Sequence, residues 1–293
     1  MIRKRKTVKF QLYIIIVKES INMSFINEFR EDGSKRLYQR GVNKEGDEML
    51  IVEYNGYDDI VVEFQDENAC RVHTQYANFV RGSVRNSMKP KHGFHGYIGN
   101  GKYKTEGRGE NGERLHIQAY ESWRKMHLRA ENFDGKHPSY EDVTICEEWW
   151  NYQNFAEWFE KNYYEVEGEV MCVDKDIKDP FSRCYSPSTC LIVPNCINEL
   201  FKKMEISEDG LPTGVHRRSD SIAERYRSRT KILDENGKAK IVSKTTKTPE
   251  EAFEFYKENK EKYIKQMAEK YKNMITKELY EILMNYEVEM YLH

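Results

Sequence analysis

Apolar and polar residues alternate between Glu48 and Asn78, and the alternation is interrupted at Asn55-Gly56 and at Asp66-Glu67-Asn68. A period of two puts successive side chains on opposite faces of an extended chain, and the interrupting residues are turn formers. Three short strands in a small barrel-like or meander module are therefore predicted. The pattern stops at Phe79. From there to Tyr103 the chain is rich in glycine, basic residues and the aromatics Phe79, Phe94, Tyr97 and Tyr103. Such loops can neutralise phosphates and stack on bases, or they can be a linker packed on its own aromatics.

From about Leu115 the period becomes that of a helix, with Tyr120, Trp123, Met126 and His127 on one stripe. Such a stripe is by default core, and His127 is expected to be a satisfied core histidine. Beyond a turn at Lys136-His137-Pro138, Val143 to Cys146 reads as a strand. Glu147 to Asn162 then reads as an amphipathic helix directing Trp150, Phe155 and Trp158 inward. Val170 to Val173 predicts a strand ending in Asp174-Lys175-Asp176. A loop through Tyr185-Ser186-Pro187 leads to a second strand at Cys190 to Val193 and a helix from Asn195 to Lys203, a β-β-α order. Farther on, short strands are expected around Tyr226, Ile232 and Ile241, with a turn at Glu235-Asn236-Gly237. Thr248 then caps a helix with Pro249 in its first turn. That helical end, running to about Tyr286, is dense in i,i+4 acid and base pairs. It reads as a solvated arm that can also serve as a homodimer contact.

Composition narrows the class. A chain of 293 residues has room for two or three small domains, and 33% charged with 13% aromatic residues suits neither a membrane protein nor a disordered one. The one long apolar run, Phe10 to Val17, is eight residues, against the roughly 20 that span a bilayer. It follows the basic residues Arg3 to Lys6, as a signal peptide would. Lys18 and Glu19, however, occupy the place of small cleavage-site residues, so an upstream start codon, with Met23 as the alternative, explains the stretch better. The six cysteines have irregular spacings and no CxxC pair, which signals neither a zinc knuckle nor a disulfide framework. Reduced thiols in a cytoplasmic protein are expected.

Net charge is only −2, but the charges are segregated. Residues 71 to 136 hold thirteen Lys or Arg against six Asp or Glu, a net +7, together with His73, His92, His95, His116 and His127. Residues 138 to 176 hold two basic and eleven acidic residues, a net −9, and residues 216 to 247 hold ten and four, a net +6. Two basic blocks around an acidic one suit a protein that grips phosphates at two places and holds a divalent cation between them. Ordinary solvated faces of mixed charge are the plainer alternative. Arg81, Arg85, Lys89 and Lys91 are the candidate phosphate contacts of the first block.

The motifs YESWRKM, YEDVTICEEWWNYQNFAEWF, VDKDI, YSPSTCLIVP and IN, between Tyr120 and Phe201, together resemble an HNH-like (His-Me finger) endonuclease family of phages and mobile elements. The likeness spans about 80 residues and rests on the joint order of the motifs. It implies that Asp174 is the strand-end acid, Lys175 the basic position beside it, Asp176 a further acid and Asn198 the helical amide. Asp174 and Asn198 would hold Mg²⁺ or Mn²⁺. The chain departs from the family where Lys175 replaces the histidine base and Thr189 stands in place of an asparagine. The base would then be another histidine, with His127 and His137 nearest in sequence, or cleavage has been lost and binding kept. Residues 211 to 271 resemble the integrase-like DNA-binding domain of the ethylene-response-factor type. That likeness implies that Arg217, Arg218, Arg225, Arg227 and Arg229 face double-stranded DNA. Arg227 and Arg229, two apart, can share one face of a strand.

The expected fold is thus multidomain α+β. An extension (1–44) precedes a small β-rich module (45–80), a basic Gly/aromatic loop region (81–114), an HNH-like β-β-α module (115–204) and an integrase-like module (211–293), the last a three-stranded sheet with a long helix. The leading expectation is a DNA-binding, metal-dependent endonuclease without a membrane partner. A non-catalytic DNA-binding or regulatory protein is the competing class, and a phage factor that binds a host defence protein is the third.

Overall fold

The computed structural model describes residues 36–90, 95–108, 114–131, 142–201, 210–218 and 225–290. The chain is a mixed α+β protein that divides into two compact units between Gly101 and Lys102.

In the first unit, β1 (Arg40–Val42), β2 (Glu48–Tyr54), β3 (Ile60–Phe64) and β4 (Arg71–Thr74) form an antiparallel meander in sequential order. Alternation explains its core. Met49 and Ile51 of β2 and Ile60, Val62 and Phe64 of β3 form one core cluster with Cys70, Phe79 and Val84; of the residues between them, Leu50 and Glu63 are half-buried, whereas Val61 is buried as well. The short helix α1 (Tyr76–Val80) closes one end and delivers Phe79. β1 lies upstream of the predicted strands. It is only three residues long and carries Gly41 at its centre, where a Cβ would lie 2.7 Å from the Phe79 ring.

The second unit opens with the hairpin β5 (Glu106–Arg108) and β6 (Arg114–His116), followed by α2 (Gln118–Glu131). Ala119, Trp123, Met126 and His127 are buried on one face of α2, the stripe expected of a core helix. His127 is 1% exposed and its Nδ1 lies 2.7 Å from Glu131 Oε1. β7 (Thr144–Ile145) is followed by a 3-10 turn, Glu147–Trp150, and by α3 (Tyr152–Asn162). The single helix expected over 147–162 is therefore interrupted. Asn151, extended at φ −80° and ψ 114°, accepts a hydrogen bond from Gln153 N and starts α3 afresh. The interruption shifts the phase, so Trp149 rather than Trp150 is wholly buried, packed on Phe155 and Trp158.

β8 (Met171–Asp174) pairs antiparallel with β10 (Leu191–Pro194), while β9 (Cys184–Tyr185) runs parallel to β7 in a separate two-stranded ladder. The helix after β10 is one turn, α4 (Asn195–Asn198), continued as 3-10 over Glu199–Phe201.

The last third forms the sheet β11 (Val215–Arg217), β12 (Tyr226–Leu233), β13 (Ala239–Thr246), antiparallel in that order. Tyr226 and Ile232, expected on separate strands, share β12, and the remaining strand is β11. The turn before β13 falls where its sequence predicts, with Asp234 Oδ1 accepting from Asn236 N and Lys238 N, both at 2.9 Å, and Gly237 at φ 71°. Thr248 caps α5 (Pro249–Tyr271) by accepting from Glu251 N. The chain then breaks and resumes as α6 (Lys277–Met284), capped by Thr276.

The expected solvated arm is not what forms. Ala252, Phe253, Tyr256, Tyr263, Ile264, Met267, Ala268 and Tyr271 of α5 are buried, and Val215 and Tyr226 of the sheet share a core cluster with the first three of them. Most Glu and Lys residues of α5 face solvent, but Lys260 is half-buried, and burial, with Lys231 acting in the same direction, holds its pKa down at about 8. Among the described residues no helix is long and apolar enough to cross a membrane.

Gly214 is what lets the sheet approach the helix. It has φ +76°, and a Cβ there would lie 2.4 Å from the Tyr256 ring. Gly237 has a similar φ, +71°, with nothing within 4 Å. Gly214→Ala should therefore cost about 3 kcal/mol or more, left-handed strain plus overpacking, and Gly237→Ala about 1 kcal/mol from strain alone. Urea unfolding of both variants checks this, and equal losses would remove the packing explanation.

Candidate functional site

The second basic block acquires a surface in the C-terminal sheet. Tyr226 and Ser228 of β12 are buried, so the pleat sends Arg227, Arg229 and Lys231 to the opposite, exposed side. The ladder sets their neighbours. Arg227 is flanked by His216 of β11 and Thr245 of β13, Arg229 lies beside Ser243, and Lys231 beside Ile241, which is 56% exposed. No acidic residue occupies an outward position of these three strands. Among the described residues none of the three cations is ion-paired. With roughly 6.8 Å between alternate residues of a strand, the row is about 14 Å long, a length over which duplex DNA carries about eight phosphate charges.

The five expected arginines do not all share that face. Arg217 stands opposite Tyr226 in register, so it belongs to the other parity, with its guanidinium 5.8 Å from the Tyr226 ring centroid. Arg218 donates its backbone N–H to Arg225 O at 2.9 Å, and both side chains are half-buried where β11 and β12 meet. Lys231 is absent from the expected set, although Arg227, Arg229 and Lys231 continue one period-two series. His216, Ser243 and Thr245 are absent from it because only strand register places them there.

The first basic block is more dispersed. Arg81 and Arg85 are exposed, and Lys91 lies outside the described residues. The Lys89 ammonium is bound by Asp47, whose hydrogen bond raises it above the ordinary lysine value. Asp47 is buried and is held by Asn43, which also bonds Val84 O. Lys89 therefore ties the loop to the sheet. Two further residues of the loop are also tied, Asn86 to Asp66 at 2.7 Å and Ser87 to Asn100 at 2.6 Å. Tyr103, in the second unit, exchanges two backbone hydrogen bonds with the Gln153 side chain.

At the end of β8, Asp174 Oδ1 accepts from Asp176 N at 2.9 Å and Ile177 N at 2.8 Å, so this carboxylate closes a turn. Burial pushes its pKa up to about 6, with Asp176 acting in the same direction and the two N–H donors and Lys175 opposing. Lys175 is 4% exposed, with its ammonium 2.7 Å from Asp176 Oδ1 and 5.8 Å from the Tyr185 ring centroid. The polar link from α4 to β8 runs through Asn195, which accepts from Cys172 Sγ at 3.5 Å. Asn198 is half-buried, and its side chain makes no hydrogen bond among the described residues.

These residues fit Mg²⁺ or Mn²⁺ poorly. One oxygen of Asp174 is committed to two backbone donors and one oxygen of Asp176 to the Lys175 ammonium. Among the described residues no group of three His, Cys, Asp or Glu side chains converges as a metal site. His127 is held in the core by Glu131, and His137 lies outside the described residues. No family model, curated protein or solved structure matches the chain.

The Asp174 carboxyl should be visible in the pH dependence of stability. Its folded value, about 6, exceeds its ordinary 3.8. Between those values the native state holds a proton that the unfolded chain releases, so stability rises as pH falls from above 6 toward 4. Asp174→Asn keeps an acceptor for the turn but cannot titrate. The wild type should gain stability relative to Asp174→Asn between about pH 7.5 and about pH 4.5, as read from urea midpoints. A constant difference would show that the carboxyl is not desolvated.

Proposed function

We propose that the protein binds double-stranded DNA through the outward face of β11–β13. The observation that carries this reading is the row Arg227, Arg229, Lys231, exposed and without ion pairs among the described residues, on a sheet whose other face is packed on α5. A rigid strand presenting cations at every second residue can neutralise phosphates, and its guanidinium groups can bond guanine edges in pairs. The small polar side chains of Ser243 and Thr245 let a duplex backbone approach the same face. The likeness of residues 211–271 to integrase-like domains points the same way.

Replacing Arg227 and Arg229 together by alanine should weaken binding of a labelled duplex and lower the salt slope by about 1 for each phosphate that is no longer neutralised. For each guanine that an arginine no longer bonds, sequence preference should relax by about 1 to 3 kcal/mol. Fluorescence anisotropy across a salt series measures both. Unchanged affinity and slope would remove the sheet as the DNA-binding face.

Phosphodiester cleavage is the second reading, favoured by one observation, the desolvated Asp174 carboxyl at a strand end in a β-β-α order. The engagement of Asp174, Lys175 and Asp176 with one another and with the turn argues instead for binding without cutting. Supercoiled plasmid incubated with the protein and Mg²⁺ or Mn²⁺ should be retarded but not nicked, and Asp174→Ala should retard it equally. Nicking by the wild type that Asp174→Ala abolishes would reverse the order of the two readings.

A further inference from the structure

The first unit carries a feature that DNA binding does not use. At one end of the meander, the side chains of Tyr54, Tyr57 and Tyr76 surround the guanidinium of Arg36. Its carbon lies 4.0 Å from the ring centroids of Tyr57 and Tyr76 and 5.8 Å from that of Tyr54. Tyr76 meets the other two rings edge-on, at 85° and 89°. One guanidinium nitrogen donates to Tyr54 Oη at 3.0 Å and another to Tyr57 Oη at 2.5 Å. Arg36 has no carboxylate partner among the described residues. Aromatic faces and two phenol oxygens alone hold the cation.

Tyr76 and Tyr54 have anchors other than the Arg36 side chain. Tyr76 N donates to Tyr57 O at 2.9 Å, the Tyr76 hydroxyl donates to Gln39 Oε1 at 3.0 Å, and the Tyr76 ring stacks on buried Phe79. Tyr54 ends β2, in register with Ile60 of the core. Tyr57 is 63% exposed, so the cage is open to solvent on that side. A preformed, solvent-open box of π faces suits weakly hydrated cations.

We infer that Tyr54, Tyr57 and Tyr76 form a binding cage for the guanidinium of an arginine on a partner peptide, and that Arg36 is its intramolecular occupant. The two phenol oxygens specify the chemistry. They accept from separate nitrogens of one planar group, a pairing that a quaternary ammonium, which has no N–H, cannot make. An occupant in the same chain lowers the apparent affinity for any outside arginine by the fraction of time the cage is filled. Removing the Arg36 side chain should expose the cage.

The test uses the full chain with Arg36→Ala and methylguanidinium as the probe, followed through the ring resonances of the three tyrosines. Saturable binding is expected, at least about tenfold tighter than to the wild type, weaker for tetramethylammonium, and abolished by adding Tyr57→Ala. Arg36→Met, which keeps an apolar stem, is the second variant in case the alanine disturbs the sheet. A folded variant without saturable binding, equal binding by wild type and variant, or unfolding of the first unit by both substitutions would each overturn the inference. The last outcome would make Arg36 a structural clamp.

Discussion

The proposed DNA face exists because α5 covers the other side of its sheet. Three short strands with both faces wet would not hold together, so the apolar face must be buried against something. Here Val215 and Tyr226 pack on Ala252, Phe253 and Tyr256, and the approach is close enough to require glycine at 214. The packing is stitched at both ends of β12. Gln266 accepts from Leu233 N and donates to Leu233 O, and Thr246, paired with Tyr226, donates its hydroxyl to Thr248 O where α5 begins. Register is thereby pinned. A slip of one residue would bury Arg227, Arg229 and Lys231 against α5 and expose Tyr226, so the burial of an aromatic is what aims the cations outward.

The turn after β8 shows the opposite use of charge. Two acids and a lysine in three consecutive residues look like chemistry waiting for a substrate, yet each has a local task. Asp174 satisfies two backbone donors, and Asp176 accepts from the buried Lys175 ammonium, an arrangement costly to break from either side. The strand, strand, helix order of the motif is retained, but its polar atoms point into the turn. Order of elements and availability of lone pairs are separate properties, and only the first leaves a trace in residue spacing.

Much of the fold is legible where one period runs long enough. The alternation in β2 to β4, the stripe on α2, the Asn236-Gly237 turn and the Thr248 cap all sit where their residue types place them. The misses have different causes, long-range packing in some and a local cap in another. β1 forms because Phe79 and the edge of β2 accept it, although its three residues include a glycine. The 147–162 helix divides because Asn151 prefers to cap, which exchanges the roles of Trp149 and Trp150. α5 reads as solvated because its eleven charged residues outnumber its eight buried ones. At the candidate sites, Arg227 and Arg229 are readable from spacing, whereas the commitment of Lys89 to Asp47, 42 positions away, is not.

Lysine and arginine counts therefore say little until each cation is assigned a counter-group. Lys89 and Lys175 are held by carboxylates, Asp47 and Asp176, and the ammonium of Lys175 is almost wholly removed from water. Arg36 is held by π faces and phenol oxygens, with no carboxylate partner among the described residues. Arg227, Arg229 and Lys231 are held by nothing among the described residues and remain hydrated. Free energy of binding comes from cations whose present partners are water and mobile counterions, because only these release something on meeting a polyanion. A carboxylate-paired lysine would have to exchange one anion for another at little gain. The net −2 of the chain conceals this division, and on the sheet face three cations without ion pairs among the described residues stand in one row.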